Sequence, residues 1–189
     1  MDRRAQEILD YWLTEVGPER WYDVVPEIDE AIRNRFSDDW ERLRAGELKD
    51  WLGSPRSALA YLILADQFPR NMFRGDARAF ATDHEALKAA KSAIARGFDE
   101  QIDLPERQFF YLPLMHSEVL ADQDRCVRLI ALSFGTGESL NHARAHREII
   151  RRFGRFPYRN QVLGRASTPA EQEFLDQGGY MAMVEAFAS

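Results

Sequence analysis

At 189 residues, with 45% hydrophobic and 30% charged side chains, the chain can bury a core without covalent or metal staples. Its single cysteine, Cys126, excludes an internal disulfide and a cysteine-rich metal site. A net charge of −6 and the lack of any run of about 18 apolar residues argue against a long nucleic-acid surface and against a membrane span, so a cytoplasmic protein is expected.

Helical periodicity dominates from the start. Ile8, Leu9, Trp12, Leu13 and Val16 form one apolar stripe; Ile28, Ile32, Phe36, Trp40 and Leu43 form a second, after Pro26. Ser54-Pro55 offers an N-cap and a first-turn proline to a helix carrying Leu59, Leu62 and Ile63. That helix is expected to stop at Pro69, because proline lacks an N–H and crowds the preceding turn. A further helix is predicted from about 77 to 96, ending at Gly97, and 105–133 should hold one or two, interrupted near Pro113. The stretch 139–153 runs into Gly154, and Thr168-Pro169-Ala170-Glu171 reads as a capping box opening a last helix. No alternating run makes a strand. The expected fold class is all-α, roughly seven to nine helices in a single domain over 1–189.

Two runs echo each other: Phe68-Pro69-Arg70-Asn71 and Phe156-Pro157-Tyr158-Arg159-Asn160. Each sets a guanidinium with five donors and a carboxamide beside a rigid proline, chemistry suited to a carboxylate or phosphate, or to locking loops together. Asp66 falls on the apolar face one turn beyond Leu62 and Ile63, where a carboxylate needs a cation; Arg70, Arg74 and Arg159 are candidates. An Arg–Asp clamp and a ligand role explain it equally well. Residues 141–165 hold seven arginines, Arg155 and Arg159 among them, against the single acid Glu148. That local excess marks an anion-attracting segment.

His142 and His146, four apart with Ile149 and Phe153 continuing the face, point inward from one helix. Two imidazoles at this spacing can grip a metal, but no glutamate follows the first, and structural histidines explain them better. His116 is in register with Phe109, Leu112 and Leu120. The run His116-Ser117-Glu118 is no triad, since neighbours on a helix point about 100° apart. No phosphate loop, nucleophile elbow or zinc pattern is present, and no metal or cofactor is expected.

The blocks Leu64-Ala65-Asp66-Gln67-Phe68-Pro69-Arg70-Asn71-Met72-Phe73-Arg74-Gly75, Pro113-Leu114-Met115-His116-Ser117-Glu118, Phe153-Gly154-Arg155-Phe156-Pro157-Tyr158-Arg159-Asn160 and Leu163-Gly164-Arg165-Ala166-Ser167-Thr168 resemble the bacterial family catalogued as domain of unknown function 924. The likeness covers nearly the whole chain. It implies stacked antiparallel helical hairpins like those of tetratricopeptide (TPR-like) proteins, although no 34-residue repeat signature is visible here. The family pattern often has histidine where this chain has Tyr158, and the resemblance implies no particular activity.

Two functions compete. Asp66, Arg70, Asn71, Arg74, His116, Glu118, His142, His146, Arg155, Arg159 and Asn160 could line a polar pocket for a small anionic molecule, with or without catalysis. Alternatively, a TPR-like groove could read an acidic peptide through the arginines. Inward histidines beside corner arginines favour the pocket, because an interaction surface needs no inward polar groups.

Overall fold

The computed structural model describes residues 1–188, and its helices are joined by turns with no strand among the described residues. The chain divides into two compact units, Met1–Pro113 and Leu114–Ser189.

The N-terminal unit starts with α1 (Arg3–Leu9), capped by the Asp2 carboxylate on the Arg4 and Ala5 N–H groups. The first apolar stripe does not continue as α-helix: Asp10–Val16 is wound as a π-helix. The second stripe is α2 (Pro26–Arg44), opened by its proline, with Ile28, Ile32, Phe36, Trp40 and Leu43 all buried. Then come α3 (Pro55–Leu62), α4 (Phe68–Met72) and α5 (Asp83–Ala95). The predicted 77–96 helix is thus shorter, its first turn a separate 3-10 segment, Ala77–Phe80. Ser54 occupies the expected cap position of α3, but its hydroxyl bonds the Ser57 hydroxyl at 3.1 Å and no backbone N–H.

The core of this unit is aromatic. Trp12 and Phe36 pack on Phe68 with ring centroids 5.5 and 5.0 Å apart, and Trp21 meets Phe109 edge-on at 4.7 Å. Rings of this size supply more buried area than any other side chain, and their edge-to-face contacts add to it.

Pro69 does not end a helix, as its chemistry suggested; it lies in the first turn of α4. The preceding chain absorbs it by winding Ile63–Gln67 as a π-helix, with the Phe68 N–H reaching Ile63 O. In an α-helix the Ala65 carbonyl would take its hydrogen bond from residue 69, where proline has none to give. The buried Thr82 hydroxyl donates to that carbonyl at 2.6 Å and accepts from Trp40 Nε1 at 3.1 Å. Thr82→Val should therefore lower unfolding stability by about 2 kcal/mol, since it strands a buried donor and a buried acceptor. Denaturant unfolding measures this; Thr82→Ser should recover most of the loss, and an unchanged midpoint for the valine variant would break the account.

The C-terminal unit begins within the short α6 turn (Leu112–Met115), which realises the break near Pro113. Its helices are α7 (Leu120–Phe134), α8 (Glu138–Phe153), α9 (Pro169–Asp176) and α10 (Gly179–Ala188). Three residues connect α7 to α8, which pack together as an antiparallel hairpin, and α10 packs on α8. Gly154, in the left-handed region at φ 68°, ends α8 as predicted. Pro157 opens a 3-10 turn, Pro157–Arg159, and so starts a helical turn just as Pro69 does. The capping box is present: Thr168 Oγ1 accepts the Glu171 N–H, and the Glu171 carboxylate accepts the Thr168 N–H. Ile149, Ile150, Phe156 and Phe174 make the core, flanked by Phe153, Leu175, Tyr180 and Met183.

Candidate functional site

In the N-terminal unit, the predicted polar residues fall into two clusters, one around Asp66 and one around Asp29. Asp66 is buried, as its place on the apolar face required. Its Oδ2 accepts from Gln67 Nε2 at 2.5 Å, and Arg70 Nη2 lies 3.5 Å from its Oδ1 and 2.9 Å from Asp83 Oδ1. Arg74 is not a partner of Asp66. Its guanidinium forks onto Asp29 at 2.9 and 3.0 Å, and Asn71 Nδ2 donates to the same carboxylate at 2.8 Å. Sequence reasoning missed Asp29 because it sits beside Ile28, at the edge of an apolar stripe, where an acid reads as solvent-facing.

In the C-terminal unit, the arginine excess of 141–165 is largely balanced by acids distant in sequence. Arg155 forks onto Glu171 at 2.6 and 2.8 Å, Arg165 onto Glu118 at 2.8 and 3.0 Å, and Arg147 Nη1 stands 3.8 Å from Asp124. Within the segment, Glu148 takes both Arg151 and Arg152. These clamps hold the Glu171 and Glu148 carboxyls down at about 2, through the Arg155 and Arg151 guanidinium groups respectively. Burial pushes the Glu118 carboxyl up, but Arg165 and the Phe156 N–H outweigh it, and the group lies below the ordinary carboxylate range. Arg155 and Glu118 therefore act first as braces. Asn160, also buried, donates to Ser167 Oγ at 3.1 Å and leans 3.4 Å from Glu171 Oε2.

The predicted histidines gather in this unit too. His142 and His146 lie one turn apart on α8, and Tyr180, in the first turn of α10, reaches both: its hydroxyl bonds His142 Nδ1, and its ring centroid is 4.7 Å from that of His146. The His116 ring stands 6.1 Å from His146, and Phe156 meets His146 edge-on at 5.4 Å. Tyr158 stacks on Phe156 at 5.3 Å and approaches Tyr180 at 5.9 Å, while the buried Arg159 guanidinium lies 4.5 Å over the Phe156 ring. Three imidazoles, three other rings and one guanidinium thus converge, with Tyr158 still exposed and His116 and His142 half-buried.

His146 has a defined proton state. Burial first, then the nearby His116, pulls its pKa down to about 3, with Arg159 adding in the same direction. The ring is neutral, and its Nδ1 faces the His142 carbonyl at 2.9 Å. A carbonyl only accepts, so the proton resides on Nδ1 and Nε2 carries the lone pair. Tyr180 escaped sequence reasoning because nothing in its spacing ties the end of the chain to α8.

No group of three or more His, Cys, Asp or Glu side chains able to hold a metal occurs among the described residues. No described helix is long and apolar enough to cross a membrane. A cleft of about 430 Å³ in the N-terminal unit is lined by Asp2, Arg42, Glu47, Asp50 and Ser57 among others, but it holds no imidazole and Arg42 there already faces Glu47 at 3.4 Å.

The chain is similar, at 42% identity and a TM-score of 0.87, to the solved structure of a protein of unknown function, ATU0120, from Agrobacterium tumefaciens, over 92% of this chain and 97% of that one. No curated protein matches it. The model of the family described as bacterial protein of unknown function (DUF924) fits residues 8–179, covering the α8 histidines and both proline corners. On that match the chain belongs to the DUF924 family.

Proposed function

We propose that the C-terminal unit binds a small anionic molecule at the His116, His142, His146, Tyr158 and Tyr180 cluster. The observation that carries this reading is the convergence of two imidazoles, His116 and His142, on a third that is neutral and carbonyl-oriented, His146. A purely structural histidine needs one partner; three gathered with two tyrosines make a surface that can donate and accept at several points. Positive charge favours an anion there. The field of Arg159 depresses both His146 and the Glu118 carboxyl, so a negative group would settle where that field is strong. The fixed lone pair on His146 Nε2 would accept a hydrogen bond from a hydroxyl or N–H group of the bound molecule, while the ring itself stays neutral.

Thermal unfolding at low ionic strength tests the reading. Against chloride at matched ionic strength, a panel of phosphate, succinate and benzoate should contain an anion that raises Tm, with about 2.7 kcal/mol of stabilisation at a hundredfold excess over Kd. His142→Ala, at a half-buried position, should abolish the rise while leaving a folded protein. A flat Tm across the panel, or a rise that persists in the variant, would overturn the site.

A further inference from the structure

We infer that the cleft of the N-terminal unit is a second, separate binding site, and that it takes a basic amino acid, with two ammonium groups and one carboxylate on a short chain. Three observations carry it: a cavity of ligand size, two uncommitted acids in its wall and an indole N–H turned toward it.

At about 430 Å³ the cleft falls in the range that small-molecule sites occupy. Its wall comes from separate parts of the chain: Asp2 at the cap of α1, Arg42 in the last turn of α2, Asp50 and Trp51 in the 3-10 turn Lys49–Gly53, and Ser57 on α3. Arg42 and Glu47 neutralise one another at 3.4 Å, and Arg42 lies 3.4 Å from Asp39 as well. Two carboxylates remain. Asp50 is exposed and its side chain bonds nothing among the described residues, while Asp2 caps α1 through Oδ1 and keeps Oδ2 open. No three acids among the described residues stand close enough to hold a metal ion, so two separate ammonium groups match these carboxylates where one compact cation does not.

The third group is a donor. Trp21 and Trp40 direct their indole N–H groups to the Trp12 carbonyl and the Thr82 hydroxyl. Trp51, only 4% exposed, has no such acceptor among the described residues. Its Nε1 is not sealed from solvent, and the cleft is the opening that Trp51 lines. An indole N–H only donates, so it calls for an oxygen on the ligand, and an ionised carboxylate is the strongest acceptor of that kind. A simple diamine would leave the N–H unanswered, and a simple carboxylic acid would be repelled by Asp2 and Asp50. A basic amino acid satisfies both ends.

Chemical-shift titration of the full chain with lysine, cadaverine and norleucine, at fixed pH and ionic strength, separates these groups. Cadaverine lacks the carboxylate and norleucine the second ammonium. Lysine should shift the Trp51 indole resonance saturably. Cadaverine should bind about tenfold more weakly and norleucine about threefold, the margins of a charge-assisted hydrogen bond and of an exposed ion pair. Trp51→Phe should bring lysine down to the cadaverine level and leave cadaverine unchanged. Asp50→Asn, at an exposed position, should weaken lysine and cadaverine alike by about threefold. No saturable shift with lysine, equal affinities for the three compounds, or a lysine affinity unchanged in either variant would overturn the site.

Discussion

Replacing Asp66 with asparagine should destabilise the protein by about 3 kcal/mol, the order expected when a buried ion pair loses one partner. The carboxylate is 1% exposed, accepts from Gln67, and lies beside Arg70, whose guanidinium also serves Asp83. Asparagine keeps the shape but removes the charge, and its amide presents hydrogens where a carboxylate oxygen had accepted. Urea unfolding with an unchanged m-value measures the loss. The opposite result carries a different meaning: a ligand-binding carboxylate is often electrostatically strained, and neutralising it leaves stability equal or higher while binding is lost. Stability within about 0.5 kcal/mol of the parent chain would therefore move Asp66 from architecture to function.

Acid should weaken the fold well before its carboxylates titrate. His146 has a folded pKa of about 3 against 6.5 for the free group, so the unfolded chain binds a proton that the folded chain refuses. Its contribution is complete above the unfolded pKa and is lost as pH falls, at up to about 1.4 kcal/mol per unit. By pH 5 the loss should reach about 2 kcal/mol, and it continues until the folded group itself titrates. Glu118, Glu148 and Glu171, all lowered by their arginines, act in the same direction but only below the ordinary carboxylate range. The window from about pH 6.5 to 5 thus belongs to the histidine. The charged and titratable groups around it are His116, His142, Arg159 and the Tyr180 hydroxyl. His146→Asn should flatten the stability curve in that window. A slope unchanged by the substitution would refute the buried neutral ring.

Elements with a strong local signal were legible in sequence. The stripe from Ile28 to Leu43, Gly154 as a helix stop and the Thr168–Glu171 box each depend on residues within a turn or two of one another. The prolines were misread for the same reason. Local chemistry says that Pro69 denies a hydrogen bond, but whether the helix stops depends on Thr82, 17 residues from the orphaned carbonyl it takes. The candidate site divides in the same way. Inward-facing His142 and His146 follow from helical spacing, whereas Tyr180 and the acids that neutralise Arg155 and Arg165 come from other helices and loops. The arginine-rich segment looked like an unbalanced charge because its counter-charges, Glu118 and Glu171, lie outside it.

Winding Ile63–Gln67 as π-helix stores one residue more than an α-turn would hold, and so sets the rotational phase of α4. Deleting a single residue there would let the turn relax to α-helix and swing the downstream chain about 100° round its axis. Asn71 and Arg74 would lose Asp29, Arg70 would lose Asp83, and Phe68 would leave its place between Trp12 and Phe36. Conservative replacements within the turn keep that phase; a change of length does not. This short buried stretch therefore tolerates exchange of side chains far better than insertion or deletion, because what aims the corner is a count of residues.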